Sequence, residues 1–249
     1  MSNRVLIRLV LKSILPAVLI LFLIISICLI VSLGQDDAIF QFYSRSHSSN
    51  IAFMVHVPVL LIFFVSLFSK VHNPLIIVRH RSFISLHVTD LRLAFFAASF
   101  YFAAKVIVET IMLLCIDGIS FLQFMGFDYA LVYLVQFGTI LFSFLLYILL
   151  FEILSNTAGA SVVFFFIMGI DFLLSVFPLF GNNPINLHLF ITPMNLMPVY
   201  VDRFFNLTAS FFIPLGLELL FMLVKVIVTG ALPFLIILMR RRDLNHAEA

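Results

Sequence analysis

The sequence has no tryptophan, only two cysteines and few charged residues. Charged residues make up 10% of the 249 residues, while hydrophobic residues make up 63%. A water-soluble domain of this length needs a much larger polar surface. The scarcity of charge therefore excludes an ordinary soluble domain and indicates a membrane protein.

The two cysteines, Cys28 and Cys115, form no CxxC motif and no disulfide framework. Both lie in or at the end of apolar runs, so we expect buried, unreactive thiols. Because tryptophan is absent, an aromatic belt at the membrane surface would have to use tyrosine and the 32 phenylalanines.

Motifs of common enzyme classes are also missing from the sequence. The chain has no GxxxxGK[ST] phosphate loop, no HExxH zinc motif and no GxSxG nucleophile motif. Its seven histidines are scattered without a metal-ligand spacing. The sequence predicts a chain that is not itself an enzyme and carries no cofactor or metal.

Long apolar runs dominate the rest of the chain. They are about twice as long as the ~10-residue strand of a membrane barrel, and they do not alternate. The predicted fold is therefore an all-α polytopic membrane protein with one transmembrane domain, residues 1–249. Its predicted spans cover residues 14–33, 51–69, 93–116, 129–151, 158–179 and 211–239.

Two connecting regions have their own character. Met1–Ser13 carries Arg4, Arg8 and Lys12 at a spacing of four, which predicts a basic interfacial helix on an anionic membrane surface. Residues 180–210 are apolar but interrupted by prolines, so we expect short external helices, interfacial or re-entrant.

The placement of basic residues predicts the orientation of the chain. Six spans place both termini on one side, and cytoplasmic loops are rich in Lys and Arg. Only Arg45 and Arg203 fall on the other side. We expect a multi-pass protein of the plasma membrane with both termini cytoplasmic. The basic residues on the predicted cytoplasmic side are Arg4, Arg8, Lys12, Lys70, Arg79, Arg81, Arg92, Arg240, Arg241 and Arg242.

The longest basic connection is Lys70–Arg92. Asn73 can cap a helix with Pro74 at its first position. Ser82 can cap a second helical piece that leads into the third span. We interpret His72, His80 and His87 as solvated residues of this segment. Two interpretations are open: an interfacial helix held by anionic lipid, or a docking helix for a cytoplasmic motor.

Asn73-Pro74, four apolar residues, Arg79 and then Ser82 resemble the cytoplasmic segment of small ABC-2-type ABC transporter permeases. The layout of the whole chain resembles theirs as well. The resemblance implies six spans, an N-terminal interfacial helix, a coupling helix between spans two and three, and short external helices between spans five and six. His72 and Arg81 depart from the family, which often has an acidic residue and a glycine there. The coupling residues implied for this chain are Asn73, Pro74, Arg79, Arg81 and Ser82.

The function implied by this resemblance is that of the membrane-spanning subunit of an ATP-driven exporter. Its partners would be a cytoplasmic ATP-binding subunit, which binds ATP and Mg, and a second permease copy or paralogue. The substrates would be peptides, toxins or other amphipathic molecules. The alternatives are a proton-coupled secondary transporter and a non-transporting immunity or assembly protein.

Five charged residues lie within the predicted spans, where they are costly and usually paired or functional. At 1.5 Å per residue, four of them lie about 18–24 Å from the cytoplasmic end. We expect an intramembrane charge layer in which the acids neutralise the lysines, as a structural lock, a substrate path or a proton relay. The layer comprises Lys105, Glu109, Asp171 and Lys225, with Glu218 nearer the outside.

Overall fold

The computed structural model describes residues 3–33, 52–71, 83–117, 127–176 and 215–247. These residues form six α-helices and a π-helical turn, Ala52–His56, that leads into the second helix; the part described contains no strand. The helices are α1 (Asn3–Ser32), α2 (Val57–Val71), α3 (Phe83–Asp117), α4 (Phe127–Leu154), α5 (Thr157–Val176) and α6 (Leu215–Ala247).

Three stretches of these helices are long and apolar enough to cross a membrane: Ile7–Ser32, His87–Ile116 and Gln136–Leu154. The apolar stretches of the other helices are shorter, at 10–17 residues: Met54–Lys70, Thr157–Ile170 and Met222–Ile236. The predicted all-helical fold is thus confirmed for the described residues, and three of its helices could cross a membrane, whereas the count of six spans stays a prediction.

Side-chain contacts show that neighbouring helices alternate in direction. The α2 rings of Phe64 and Phe68 contact Phe144 and Tyr147 of α4 in the same order, so α2 and α4 run parallel. Lys105 of α3 contacts Gln136 of α4. The earlier Leu91 of α3 and the later Leu145 of α4 both lie beside Gly230 of α6, so α3 runs antiparallel to α4. Met222 of α6 lies beside Gly138 of α4, and the later Gly230 of α6 lies beside the later Leu145 of α4. The two helices therefore run parallel.

One end of the bundle collects basic residues. Lys70 at the end of α2 donates a hydrogen bond to Ser13 in the first half of α1, at 3.1 Å. The alternating directions place the start of α3 and the end of α4 at this same end. We call it the basic end, because Arg8, Lys12, Lys70 and Arg92 are exposed there.

The first helix differs from its prediction. Residues 3–13 do not form a separate helix, because α1 is one continuous helix from Asn3 to Ser32. Pro16 lies inside this helix without ending it. At 1.5 Å per residue, 30 residues span about 45 Å, so α1 exceeds the ~30 Å apolar core of a bilayer.

An aromatic seam joins α2, α4 and α5. Phe64 makes edge-to-face contacts with Phe144 and Phe164, at centroid distances of 4.6 and 5.3 Å. Tyr147 extends the seam and contacts the Ser161 hydroxyl at 2.9 Å. Phe164 is fully buried, whereas Phe166, two residues later, is 66% exposed on the outer surface. Such ring geometry stabilises packing beyond simple burial.

The connections are described only in part. Residues 72–82 and 177–214 lie outside the described residues, and with them the coupling residues Asn73, Pro74, Arg79, Arg81 and Ser82 and the predicted external helices. α3 begins at Phe83, directly after the residue predicted to begin it. α4 and α5, which correspond to the predicted spans 129–151 and 158–179, are joined by a turn at Ser155-Asn156, with Ser155 at a φ of 56°.

Two predictions about single residues are wrong. His87 is not a solvated loop residue, because α3 begins four residues earlier and buries it to 2% exposure. Cys115 is exposed, although Cys28 is buried as expected. The error at Cys115 arises because an apolar run gives no information on which helix face meets other helices.

Candidate functional site

An ion pair is buried inside the bundle on α3. Lys105 Nζ lies 3.0 Å from Glu109 Oε1, and the two side chains are 6% and 1% exposed. They are four residues apart, so both project from the same face of the helix. Charges in an apolar interior are tolerated only when paired and hydrogen-bonded, and this spacing supplies the pairing locally.

Gln136 of α4 completes the environment of the lysine. Lys105 Nζ donates a hydrogen bond of 2.9 Å to Gln136 Oε1. Gln136 is itself buried and begins a polar face on α4 that continues with Thr139 and Ser143. The pair is therefore tied to a second helix by a charge-assisted hydrogen bond, which is stronger than a neutral one.

Tyr101 extends the same face of α3 by one turn. Its ring is buried, and its hydroxyl lies 3.0 Å from Nδ1 of His56 in the π-helical turn. Tyr101 lies close enough to Glu109 for an electrostatic interaction. His56 is only partly buried, so polar side chains lead from the margin of the bundle towards the ion pair. π-Helical turns are often found at functional sites.

For the other residues of the predicted charge layer, the structure mainly shows which helix each one belongs to. Asp171 lies in α5, and Glu218 and Lys225 lie in α6, but the side chains of Asp171 and Glu218 lie outside the described part. Lys225 is partly exposed. The structure brings together Lys105 and Glu109 of the predicted set. Pairing of the acids with lysines across the bundle stays a prediction.

The contribution of Gln136, Tyr101 and His56 was missed by sequence reasoning. A signal existed on α3, where Tyr101, Lys105 and Glu109 recur every four residues and so share one face. No comparable signal identified Gln136, because its contact depends on the register between α3 and α4. The spacing of residues within one helix does not determine that register.

The arrangement can stabilise a charge in an apolar interior, because Lys105 contacts both Glu109 and Gln136. A carboxylate, an amine and an amide meet there, with a phenol one helical turn away, and each can donate or accept a hydrogen bond. Within the described residues, no three His, Cys, Asp or Glu side chains come together as metal ligands. The predicted absence of a cofactor in this chain stays a prediction.

Comparison of the chain with protein-family models, with curated proteins and with solved structures gives no match.

Proposed function

We propose that this chain is the membrane-spanning subunit of an ATP-driven exporter of the ABC-2 type, powered by separate cytoplasmic ATPase subunits. The observation that carries the proposal is the basic end of the alternating helix bundle. A segment containing Arg79 and Arg81 connects α2 to α3 at this end. A soluble motor that moved this connection would act on two helices at once.

The proposal extends to orientation, assembly and substrate. The basic end would face the cytoplasm, as positive residues favour, and six helices would cross the plasma membrane with both termini inside. The working unit would be a dimer of this chain or a pair with a paralogue. The substrates would be amphipathic molecules such as peptides or toxins, as the resemblance to ABC-2-type permeases implies.

The test is association with an ATPase. The tagged full-length chain is purified from its native membrane in mild detergent, and ATPase activity and co-purifying proteins are measured. We expect an ATP-binding subunit in the complex. Replacing both arginines (Arg79→Ala with Arg81→Ala) should lower its recovery at least tenfold. Lys12→Ala, which removes an exposed charge at the same end, is the matched control and should retain the subunit.

Proton-coupled secondary transport is the second candidate, and the buried pair of Lys105 and Glu109 favours it. A proton-coupled carrier needs a titratable group inside the bundle that can exchange protons with one membrane surface. The hydrogen bond between His56 and Tyr101 could connect the margin of the bundle to the ion pair in this way. Purification without any ATPase, together with substrate flux driven by a pH gradient alone, would replace the exporter proposal with this one. If the double arginine variant recovers as much ATPase as the wild type, the proposed docking site is contradicted but the exporter proposal is not.

A further inference from the structure

Two lysines from different helices lie together at the basic end of the bundle. Lys70, in the last turn of α2, donates hydrogen bonds to Ser13 of α1, at 3.1 Å, and to Ser66 of its own helix, at 3.2 Å. Lys12 precedes Ser13 on α1, and the Cα atoms of adjacent residues lie only about 3.8 Å apart. The long side chain of Lys12 can therefore bring its ammonium group close to that of Lys70.

The two serines orient Lys70 without neutralising it. Ser13 is fully buried and Ser66 is partly buried, whereas the lysine itself is exposed. An ammonium group has three N–H donors, so one donor is left for a further ligand. Serines inside a helix commonly bond back to a carbonyl of their own helix, as Ser32 and Ser143 do here. Ser13 instead accepts a hydrogen bond from a lysine of the neighbouring helix.

Within the part of the chain that the structure describes, no acid compensates the two lysines. The acids described at this end are Asp90, which is buried, and Glu152, which is partly buried. Both interact with other groups, and neither forms a salt bridge with Lys12 or Lys70. Two cations held near each other at the edge of an apolar bundle repel, so the junction of α1 and α2 favours an anion that contacts both.

The depth of this junction matches the headgroup layer of a bilayer. From Ser13 to Ser32, where α1 ends, the helix rises about 29 Å, which is close to the ~30 Å thickness of the apolar core. With this part of α1 across the core, Ser13 and the two lysines lie at its boundary, where lipid phosphates are found. Arg8 is also exposed and lies one helical turn, about 6 Å, further out.

The exposed face of α1 next to Lys12 suits an acyl chain. Leu15, Leu19 and Leu23 are 61%, 60% and 61% exposed. Their spacing of four residues places them on one face of the helix, in line with Lys12. A cationic end followed by an apolar length on the same face fits a phospholipid better than a free phosphate ion or an acidic soluble protein.

We propose that Lys12 and Lys70 bind the phosphate of one anionic phospholipid at the junction of α1 and α2, with an acyl chain along the exposed leucines of α1. Basic sites between membrane helices bind anionic headgroups in this way. The site differs from the basic interfacial helix predicted from the sequence, because its cations come from two packed helices and hold the headgroup at a fixed depth. Binding does not depend on what drives transport.

Native mass spectrometry of the full-length chain tests this site. The purified protein in an uncharged detergent is titrated with phosphatidylglycerol or with phosphatidylcholine, which has no net charge, and the retained lipid is counted. We expect one phosphatidylglycerol to be retained about tenfold more tightly than phosphatidylcholine or better. Inorganic phosphate at the same concentration should not displace it, because the free ion has no acyl chain.

Four variants separate a defined site from diffuse attraction. Lys12→Gln and Lys70→Gln should each weaken phosphatidylglycerol binding about fivefold, the usual effect of one cation beside a headgroup. Ser13→Ala leaves the net charge unchanged but releases Lys70, so binding should weaken by about threefold. Arg92→Gln is the matched control, because it removes an exposed charge of the same end from α3, and binding should change less than about twofold. Helical content and gel-filtration behaviour verify that each variant is folded.

Equal retention of the two lipids by the wild-type chain would overturn the proposal, as would displacement of phosphatidylglycerol by inorganic phosphate. The same holds if Arg92→Gln weakens binding as much as Lys70→Gln, since the lipid would then respond only to the overall charge of this end. None of these results involves ATPase recovery, so failure of this site is distinguishable from failure of the exporter proposal.

Discussion

Lys105 and Glu109 depend on each other because the interior around them is apolar. Removing one partner leaves the other charge buried without its nearest counter-charge, and this cost exceeds the energy that the pair itself contributes. Gln136 lessens but does not replace the pairing, since an amide oxygen carries only a partial charge. At the residue scale, the interior of the bundle is therefore vulnerable at Lys105 and Glu109.

Lys105→Met tests this dependence. We expect a loss of about 3–5 kcal/mol in stability, because the carboxylate of Glu109 stays buried without its cation. The double variant with Glu109→Met should recover much of the loss, since no buried charge is left. The measurement is unfolding of the purified protein in mixed micelles, with the exposed Lys12→Met as control. Additive losses in the double variant would show that the two residues do not act as a pair.

At the scale of helices, α4 and α6 approach closely where glycine faces methionine. A Cβ added at Gly138 would lie 2.5 Å from Cγ of Met222, which is too close for any real contact. By contrast, a Cβ at Gly230 would find Leu145 at 3.7 Å, which is ordinary contact. Small residues at such positions let helices approach in a membrane, where packing replaces the hydrophobic effect.

Gly138→Ala should destabilise the contact of α4 with α6 by about 1–3 kcal/mol, the usual cost of overpacking. Met222→Ala in the same chain should relieve much of this cost, because it removes the atoms that collide. Gly230→Ala is the matched control and should be nearly neutral. Thermal unfolding of the purified variants provides the measurement. Equal losses for the two glycine variants would contradict the close approach at Gly138.

Part of this helix arrangement could be predicted from sequence. The apolar runs predicted most ends of α3, α4 and α5 to within a few residues, because a span must be apolar throughout. The exception is the start of α3, which lies ten residues before the predicted span. The continuity of α1 could not be predicted, since the change from basic to apolar residues at Ser13 reads equally well as a helix break. The contacts of Lys105 with Gln136 and of His87 with Phe234 required the register between helices, which depends on side-chain fit rather than on periodicity.

At the scale of the whole molecule, the alternating helices place exposed cations at one end. Met54 lies at the opposite end, because it precedes α2 in the π-helical turn. The two ends thus differ in charge within the described residues, even though the net charge of the chain is only +2. In a membrane, that asymmetry sets the orientation.

Single cysteines can detect the two ends in intact cells. In a chain carrying Cys28→Ser and Cys115→Ser, we expect Lys12→Cys, Lys70→Cys and Arg92→Cys to resist a membrane-impermeant maleimide applied outside. Met54→Cys should react, because positive residues favour the cytoplasmic side and the opposite end, where Met54 lies, should then face outwards. Inverted vesicles should reverse the pattern. Reaction of all four positions from one side would contradict the alternating arrangement.

The turn Ser155-Asn156 has a consequence for biosynthesis. Two extended residues reach about 7 Å, so the end of α4 and the start of α5 are held side by side at one end of the bundle. In the proposed six-span arrangement, we expect these two helices to enter the lipid together as a helical hairpin, joined by Tyr147 and Ser161. The chain would then be inserted in units larger than single helices.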